Sequence, residues 1–153
     1  MAKELDEIIY DALKADNGIA AIVGDRIQST CFEVPPTEDD NTPLPYIIIT
    51  DDPFQNDLGT KDDVWEGCTD RVQASVEIAA KSPAEVKELR RMVRRAIGHY
   101  VAGLEYDQRP YLVSVSNDGI AWDWMKPCYY DRMHYQCDVT LQDDEQEENP
   151  IES

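Results

Sequence analysis

The chain lacks any apolar run approaching the about 20 residues that span a bilayer as a helix. Its first residues, Met1-Ala-Lys-Glu-Leu-Asp-Glu7, are acidic and lead straight into an amphipathic pattern, which excludes an ordinary secretion signal. Cysteine and histidine are scarce. The four cysteines, at positions 31, 68, 128 and 137, form no Cys-x-x-Cys pair, and His99 and His134 are the two histidines, so a zinc site lacks its usual ligand spacing. Free thiols, as in a reducing cytosol, are the expectation. Gly-x-Ser-x-Gly, His-Glu-x-x-His and phosphate-loop patterns are missing. Asp39-Asp40 and Asp62-Asp63 lack the spaced oxygen ligands of a calcium loop. Neither enzyme, metal nor cofactor is expected. Positive charge is sparse as well: 14 Lys and Arg stand against 32 Asp and Glu, for a net charge of -18 and a pI near 4.2. A free duplex or an anionic membrane would be repelled overall. Three readings fit that charge: a solubility device, a protein close to DNA that does not grip it, or an acidic decoy that mimics DNA.

What is present is a core. With 153 residues, 42% of them hydrophobic, the chain can fold as one domain over about residues 1–141. Gln142 to Ser153 holds six acids and one apolar residue, the composition of an acidic, disordered tail. Leu5, Ile8, Ile9, Ala12 and Leu13 predict a first helix over Lys3 to Ala15. Asn17-Gly18 reads as its stop, through a positive φ. Ile19 to Val23 then makes about one helical turn, closed by Gly24, and Ile27 to Glu33 a strand. Val34 to Pro43, with three prolines, reads as a projecting loop. Thr42-Pro-Leu-Pro-Tyr-Ile-Ile-Ile49 leads into a strand from Tyr46 to Thr50, with Asp51-Asp52-Pro53 as its end. Phe54 to Asp70 is polar and irregular. Arg71 to Ala80 alternates, with Val72, Ala74, Val76, Ile78 and Ala80 on one face.

Ser82-Pro83-Ala84-Glu85 is a strong helix start, a capping box with proline in the first turn. The stripe Val86, Leu89, Met92, Val93, Ala96, Ile97, Tyr100 and Val101 follows it, and Gly103 ends it. Tyr111 to Ser116 is a short strand, Asn117-Asp118-Gly119 a turn, and Ile120, Trp122 and Trp124 alternate with polar or small neighbours. Tyr129 to Leu141 alternates over a long span, with Met133, Tyr135, Cys137, Val139 and Leu141 on one face. The sum is an α+β fold: a mainly antiparallel sheet with an N-terminal helix and a long central helix packed on one face.

The order helix, Asn17-Gly18, Ile22-Val-Gly-Asp-Arg-Ile27, loop, Pro43-Leu-Pro-Tyr-Ile47, followed by the strand-loop-helix Val76-Glu-Ile-Ala-Ala-Lys-Ser-Pro-Ala-Glu-Val86, resembles the tail-completion and tail-terminator proteins of long-tailed bacteriophages. The resemblance runs from about Glu4 to Leu141. It implies a structural virion protein that forms a ring, of six copies, at the head-proximal end of the tail. Such a ring would be assembled in the host bacterial cytoplasm, stop growth of the tail tube and dock the head connector. The implied partners are further copies of the chain, the major tail tube protein and the head-completion or connector protein. The genome DNA would pass through the lumen without specific binding, and no membrane would be involved. A head-tail joining protein on the connector side is a close variant.

The residues themselves offer two candidate contact sets. Five of the 14 basic residues, Lys87, Arg90, Arg91, Arg94 and Arg95, cluster on the long helix at spacings of three and four, which makes a ridge. The ridge is either a solvated face paired to local acids such as Glu88 or a contact with an acidic neighbouring copy. The second set is apolar: Phe54, Leu58 and Trp65 in the irregular segment, with Trp122 and Trp124 as interface anchors. His134 near Asp131, Cys137 and Asp138 could in principle serve acid-base or metal chemistry, but an exposed polar pair on an alternating strand needs no such role.

Overall fold

The computed structural model describes residues 4–29, 44–56, 69–105 and 110–140. Along the chain these give α1 (Leu5–Ala15), α2 (Asn17–Val23), β1 (Ile27–Ser29), β2 (Tyr46–Asn56), β3 (Thr69–Ala80), α3 (Pro83–Ala102), β4 (Tyr111–Asn117), β5 (Ala121–Asp123) and β6 (Cys128–Thr140). The succession of elements among the described residues is the expected one, and the fold is α+β. The sheet runs in the order β1-β2-β3-β6-β4, with β5 added to β6. β1 is parallel to β2, and the other pairs are antiparallel. β3 and β6 pair over their whole common length, from Thr69 opposite Thr140 to Ala80 opposite Tyr129.

Alternation decides the two faces of this sheet. Ile47 and Ile49 of β2, Ala74, Val76, Ile78 and Ala80 of β3, and Met133, Tyr135 and Cys137 of β6 are buried in one cluster with the apolar stripes of α1, α2 and α3. Fully burying one such Leu, Ile or Val contributes about 1.5–3 kcal/mol relative to exposure. The opposite face carries a small apolar patch of Tyr46, Ala79 and Cys128, joined by Leu44, Ile48 and Tyr130, and is otherwise polar. β2 is therefore covered on both sides only at its beginning.

Two sequence expectations are corrected here. Asn17-Gly18 does not stop α1 through a positive φ. The break falls at Asp16, whose extended backbone (φ -87, ψ 114) ends α1 while its carboxylate accepts from Ile19 N at 2.9 Å to cap α2. Asn17 and Gly18 are the first residues of α2. A methyl group on Gly18 would lie 3.0 Å from Met92 Cε, so this glycine serves the close approach of α2 to α3. Gly24 does adopt a positive φ of 60. The second correction is the end of β2. Asp51-Asp52-Pro53 lies inside the strand, and a register shift between Asp52 and Gln55 accommodates the proline, which has no N–H to give the ladder. The described part of the first strand is Ile27–Ser29. The remainder of that predicted strand, the loop from Val34 to Pro43, Leu58, Trp65 and the acidic segment from Gln142 onward lie outside the described residues.

The capping signals act largely as written. Ser82 Oγ accepts from Glu85 N at 3.2 Å, and Pro83 opens α3. The Glu85 carboxylate turns back to accept from the Ser82 hydroxyl at 3.2 Å. One further side chain ties the two most distinctive segments together. Arg26 Nε donates to the Pro45 carbonyl at 2.9 Å, and Arg26 Nη2 donates to the Ile22 carbonyl at 3.1 Å. The Arg26 carbonyl meanwhile accepts from Ile47 N at 3.0 Å. Arg26 thus joins the end of α2 to the entrance of β2, which is why Ile22-Val-Gly-Asp-Arg-Ile27 and Pro-Leu-Pro-Tyr-Ile47 belong to one structural unit.

Candidate subunit and partner interface

α3 positions the basic ridge by burying its other side. Val86, Leu89, Met92, Val93, Ala96, Ile97 and Val101 face the core, and Tyr100 of the predicted stripe is half-buried. The five basic residues line one open groove of about 560 Å³ along the helix. They do not share one environment. Arg90 is only 28% exposed and its Nη1 lies 2.8 Å from Asp131 Oδ2, a carboxylate with no exposure at all. Asn117 Nδ2 donates to the same oxygen at 2.9 Å, and Gly119 N donates to Oδ1 at 2.9 Å. Burial by itself raises the Asp131 carboxyl. The hydrogen bonds from Arg90, Asn117 and Gly119, with the Arg90 charge, outweigh burial and hold the pKa below the ordinary value of 3.8. Arg90 is thus a pin between α3, β6 and the 117–119 turn.

Arg91 makes a forked ion pair with Glu88, one turn earlier on the same exposed helix face. Lys87, Arg94 and Arg95 are exposed and have no carboxylate partner among the described residues. Tyr135, in the core under the helices, lies within the field of Arg94. Its hydroxyl is the one buried side-chain polar atom without a hydrogen bond among the described residues. Burial pushes its pKa up to about 12, against the opposing field of Arg94.

The aromatic set is placed by the β5 turn. Trp122 stacks edge-on against Tyr129 at 4.8 Å between ring centroids and against Trp124 at 5.9 Å. Tyr129 in turn packs on the main core. The Asp123 carboxylate accepts from Met125 N at 2.9 Å and fixes the turn. The outcome is a rooted projection: Trp122 is 36% exposed, while Trp124 and Met125 are 86% and 85% exposed. Phe54 has its backbone in β2.

The polar face of the sheet separates the residues considered for acid-base chemistry. Asp131 and Cys137 are on the helix-covered face, whereas His134 is on the other. His134 Nε2 lies 2.9 Å from Asp118 Oδ1, and His134 Nδ1 lies 3.3 Å from Ser75 Oγ. A Ser, a His and an Asp are therefore in line, but Ser75 sits mid-strand, is 2% exposed, and gives its hydroxyl hydrogen to Asp52. A hydroxyl buried in a sheet and bonded to a carboxylate offers no attacking geometry, and its proton is not directed to the imidazole. The neighbouring Glu77–Arg132 pair at 3.0 Å continues the same cross-strand polar ladder.

Sequence reasoning thus found the ridge and the tryptophans. It missed the division within the ridge, the exposure of Met125, and Asp131 as the residue that fixes Arg90. The position of Asp131 on the apolar face of an alternating strand was the available signal, because a buried acid there requires a cation.

The chain is similar in fold to a chain from the virion of a native gene transfer agent particle, at 18% identity and a TM-score of 0.47, covering 90% of this chain and 95% of that one. No curated protein matches the sequence. A family model for tail completion protein gp17 matches residues 7–113, from within α1 to the first residues of β4 and including the Arg26–Pro45 unit and the whole of α3. Because that match spans most of its length, the chain belongs to the bacteriophage tail completion protein family, as a structural protein of the virion.

Proposed function

We propose that this tail protein forms a closed ring, of six copies, at the head-proximal end of the tail, where it terminates the tail tube and receives the head connector. The observation that carries the reading is a pair of unlike exposed patches on one chain. A basic groove lies on α3, and an apolar projection of Trp124 and Met125 stands on the β5 turn, on a chain whose net charge is -18. Unlike patches favour head-to-tail contacts, and these close into a ring when the rotation allows. In this reading Lys87, Arg91, Arg94 and Arg95 face the acidic surface of the next copy, and Trp122, Trp124 and Met125 anchor either that copy or the tube protein below. The chemistry is surface complementarity, without a reaction step. The ordered domain would end near residue 140, with the acidic segment outside it, and the excess negative charge would keep the lumen from gripping the genome.

Solution mass tests this. Light scattering on the wild-type chain is expected to give six times 17.4 kDa. The double variant W124A/M125A is expected to shift the mass toward the monomer with unchanged circular dichroism. A wild-type chain that stays monomeric at every concentration, alone and with tube protein added, would overturn the ring.

A further inference from the structure

Two large apolar side chains stand almost clear of the molecule. Among the described residues the other exposed ones, Ile22, Val115 and Trp122, are 36% to 39% exposed, whereas Trp124 and Met125 are 86% and 85% exposed. They are also held in place. Trp124 meets Trp122 edge-on, Trp122 meets Tyr129, and Tyr129 is rooted on the core. The Asp123 carboxylate accepts from Met125 N at 2.9 Å and from Lys126 N at 3.4 Å, which closes the turn. An aromatic fixed on such a stalk loses little freedom on binding, the character of an interface anchor. The groove on α3 offers the complementary chemistry. Arg94 and Arg95 line it without a carboxylate partner among the described residues. The aliphatic stems of its lysine and arginines give it apolar walls below charged tips, and arginine over tryptophan is the favoured pairing of a cation with a ring. A further copy of the chain, at a net charge of -18, is drawn to that ridge rather than repelled by it.

We propose that the β5 projection of one copy seats in the α3 groove of the next, with the Trp124 indole on the guanidinium planes of Arg94 and Arg95, Met125 against the side-chain stems, and Asp123 facing the ridge charge. The exposure of Trp124 shows that it does not fill the groove of its own chain, so the contact forms between copies. The two patches then satisfy each other. Each copy gives one contact and takes one, which runs head to tail. The inference deepens the ring reading and rests on it for closure, whereas the pairwise contact needs no closed ring.

The test mixes two full-length variants, each with one patch left. R91E/R94E/R95E keeps the projection, and W124A/M125A keeps the groove. Each alone is expected to be monomeric by light scattering, with wild-type circular dichroism. Their mixture is expected to form a pair of twice 17.4 kDa. Adding R91K/R94K/R95K to W124A/M125A retains the charge and removes the planar stack, which should weaken the pair about tenfold. A mixture that stays monomeric, or a lysine variant that pairs as tightly, would overturn the proposal. Two variants that each keep the wild-type mass would overturn it as well, and would leave the projection to the tube protein. The contact and the ring are read separately. A wild-type chain that does not reach six copies, beside a mixture that pairs, refutes the ring and upholds the contact. A six-copy wild-type chain, beside variants that also reach six, does the reverse.

Discussion

The Arg90–Asp131 node and the ridge of Arg91, Arg94 and Arg95 occupy successive turns of one helix, yet they hold opposite positions in the molecule. Arg90 reaches a fully buried carboxylate that also accepts from Asn117 and Gly119. The ridge arginines face solvent, and one of them, Arg91, meets only an exposed glutamate of its own helix. The residue type is the same, so the difference comes from the partner. A buried carboxylate with several donors fixes geometry, because removing any donor leaves an unmet charge in the interior. An exposed guanidinium contributes little to the fold and remains available to something else.

The largest expected effect comes from breaking the node. D131A should cost about 3 kcal/mol, by leaving Arg90, Asn117 and Gly119 N without their acceptor, and lower Tm by about 6–12 °C in thermal melts. Loss of less than a degree would show that Arg90 is as dispensable to the fold as its neighbours. The node also predicts a pH dependence. The folded carboxyl sits below its ordinary value of 3.8, so the unfolded chain takes up this proton first as pH falls. Its stabilisation is complete above the ordinary value and drains as pH falls through the folded one. Urea titrations between pH 6 and 3 should show a steeper loss for the wild-type chain than for D131N, and parallel curves would remove the claim.

The ridge is expected to behave in the reverse manner. R91E/R94E/R95E should leave circular dichroism and Tm nearly unchanged while reducing the assembled mass. Added salt should weaken the wild-type assembly in the same direction, since screening acts over about 8 Å at physiological ionic strength. A triple variant that keeps both its fold and its mass would assign the ridge to solvated surface, and assembly would then rest on the β5 projection.

A smaller effect sharpens the contrast from the acidic side. Asp6 of α1 is 5% exposed and, unlike Asp131, has no arginine bonded to it among the described residues; burial first, and then the charge of Asp51, raise its pKa. For a raised carboxyl the unfolded chain ionises first as pH climbs, so stability falls as pH rises through the folded value. D6N should therefore raise Tm at neutral pH by about 2–4 °C, a shift of about 1 kcal/mol for a chain of this size. An unchanged or lowered Tm would mean that its favourable place in the first helical turn outweighs burial.

The sequence by itself determined the order of elements, the faces of α1, α3, β3 and β6, the cap at Ser82 and the location of the positive charge. These follow from short-range periodicity and from side-chain chemistry that acts within a few residues. The segments around Arg26 and Pro45 stood out in the sequence as two separate pieces of architecture, and the hydrogen bonds of Arg26 made them one unit. What only the tertiary structure decided depends on residues far apart in the chain. Gly18 looked like a helix stop, and became the point where α2 approaches Met92. Asp51-Asp52-Pro53 looked like a strand end, and was absorbed as an irregularity because β3 pairs with β2 on both sides of it. Asp131 was read only as one of the polar residues near His134, and is buried because the turn at 117–119 and the helix at Arg90 converge on it. Local pattern fixes which way a side chain points. Only packing brings the partner that decides whether its charge is held inside or left free to bind.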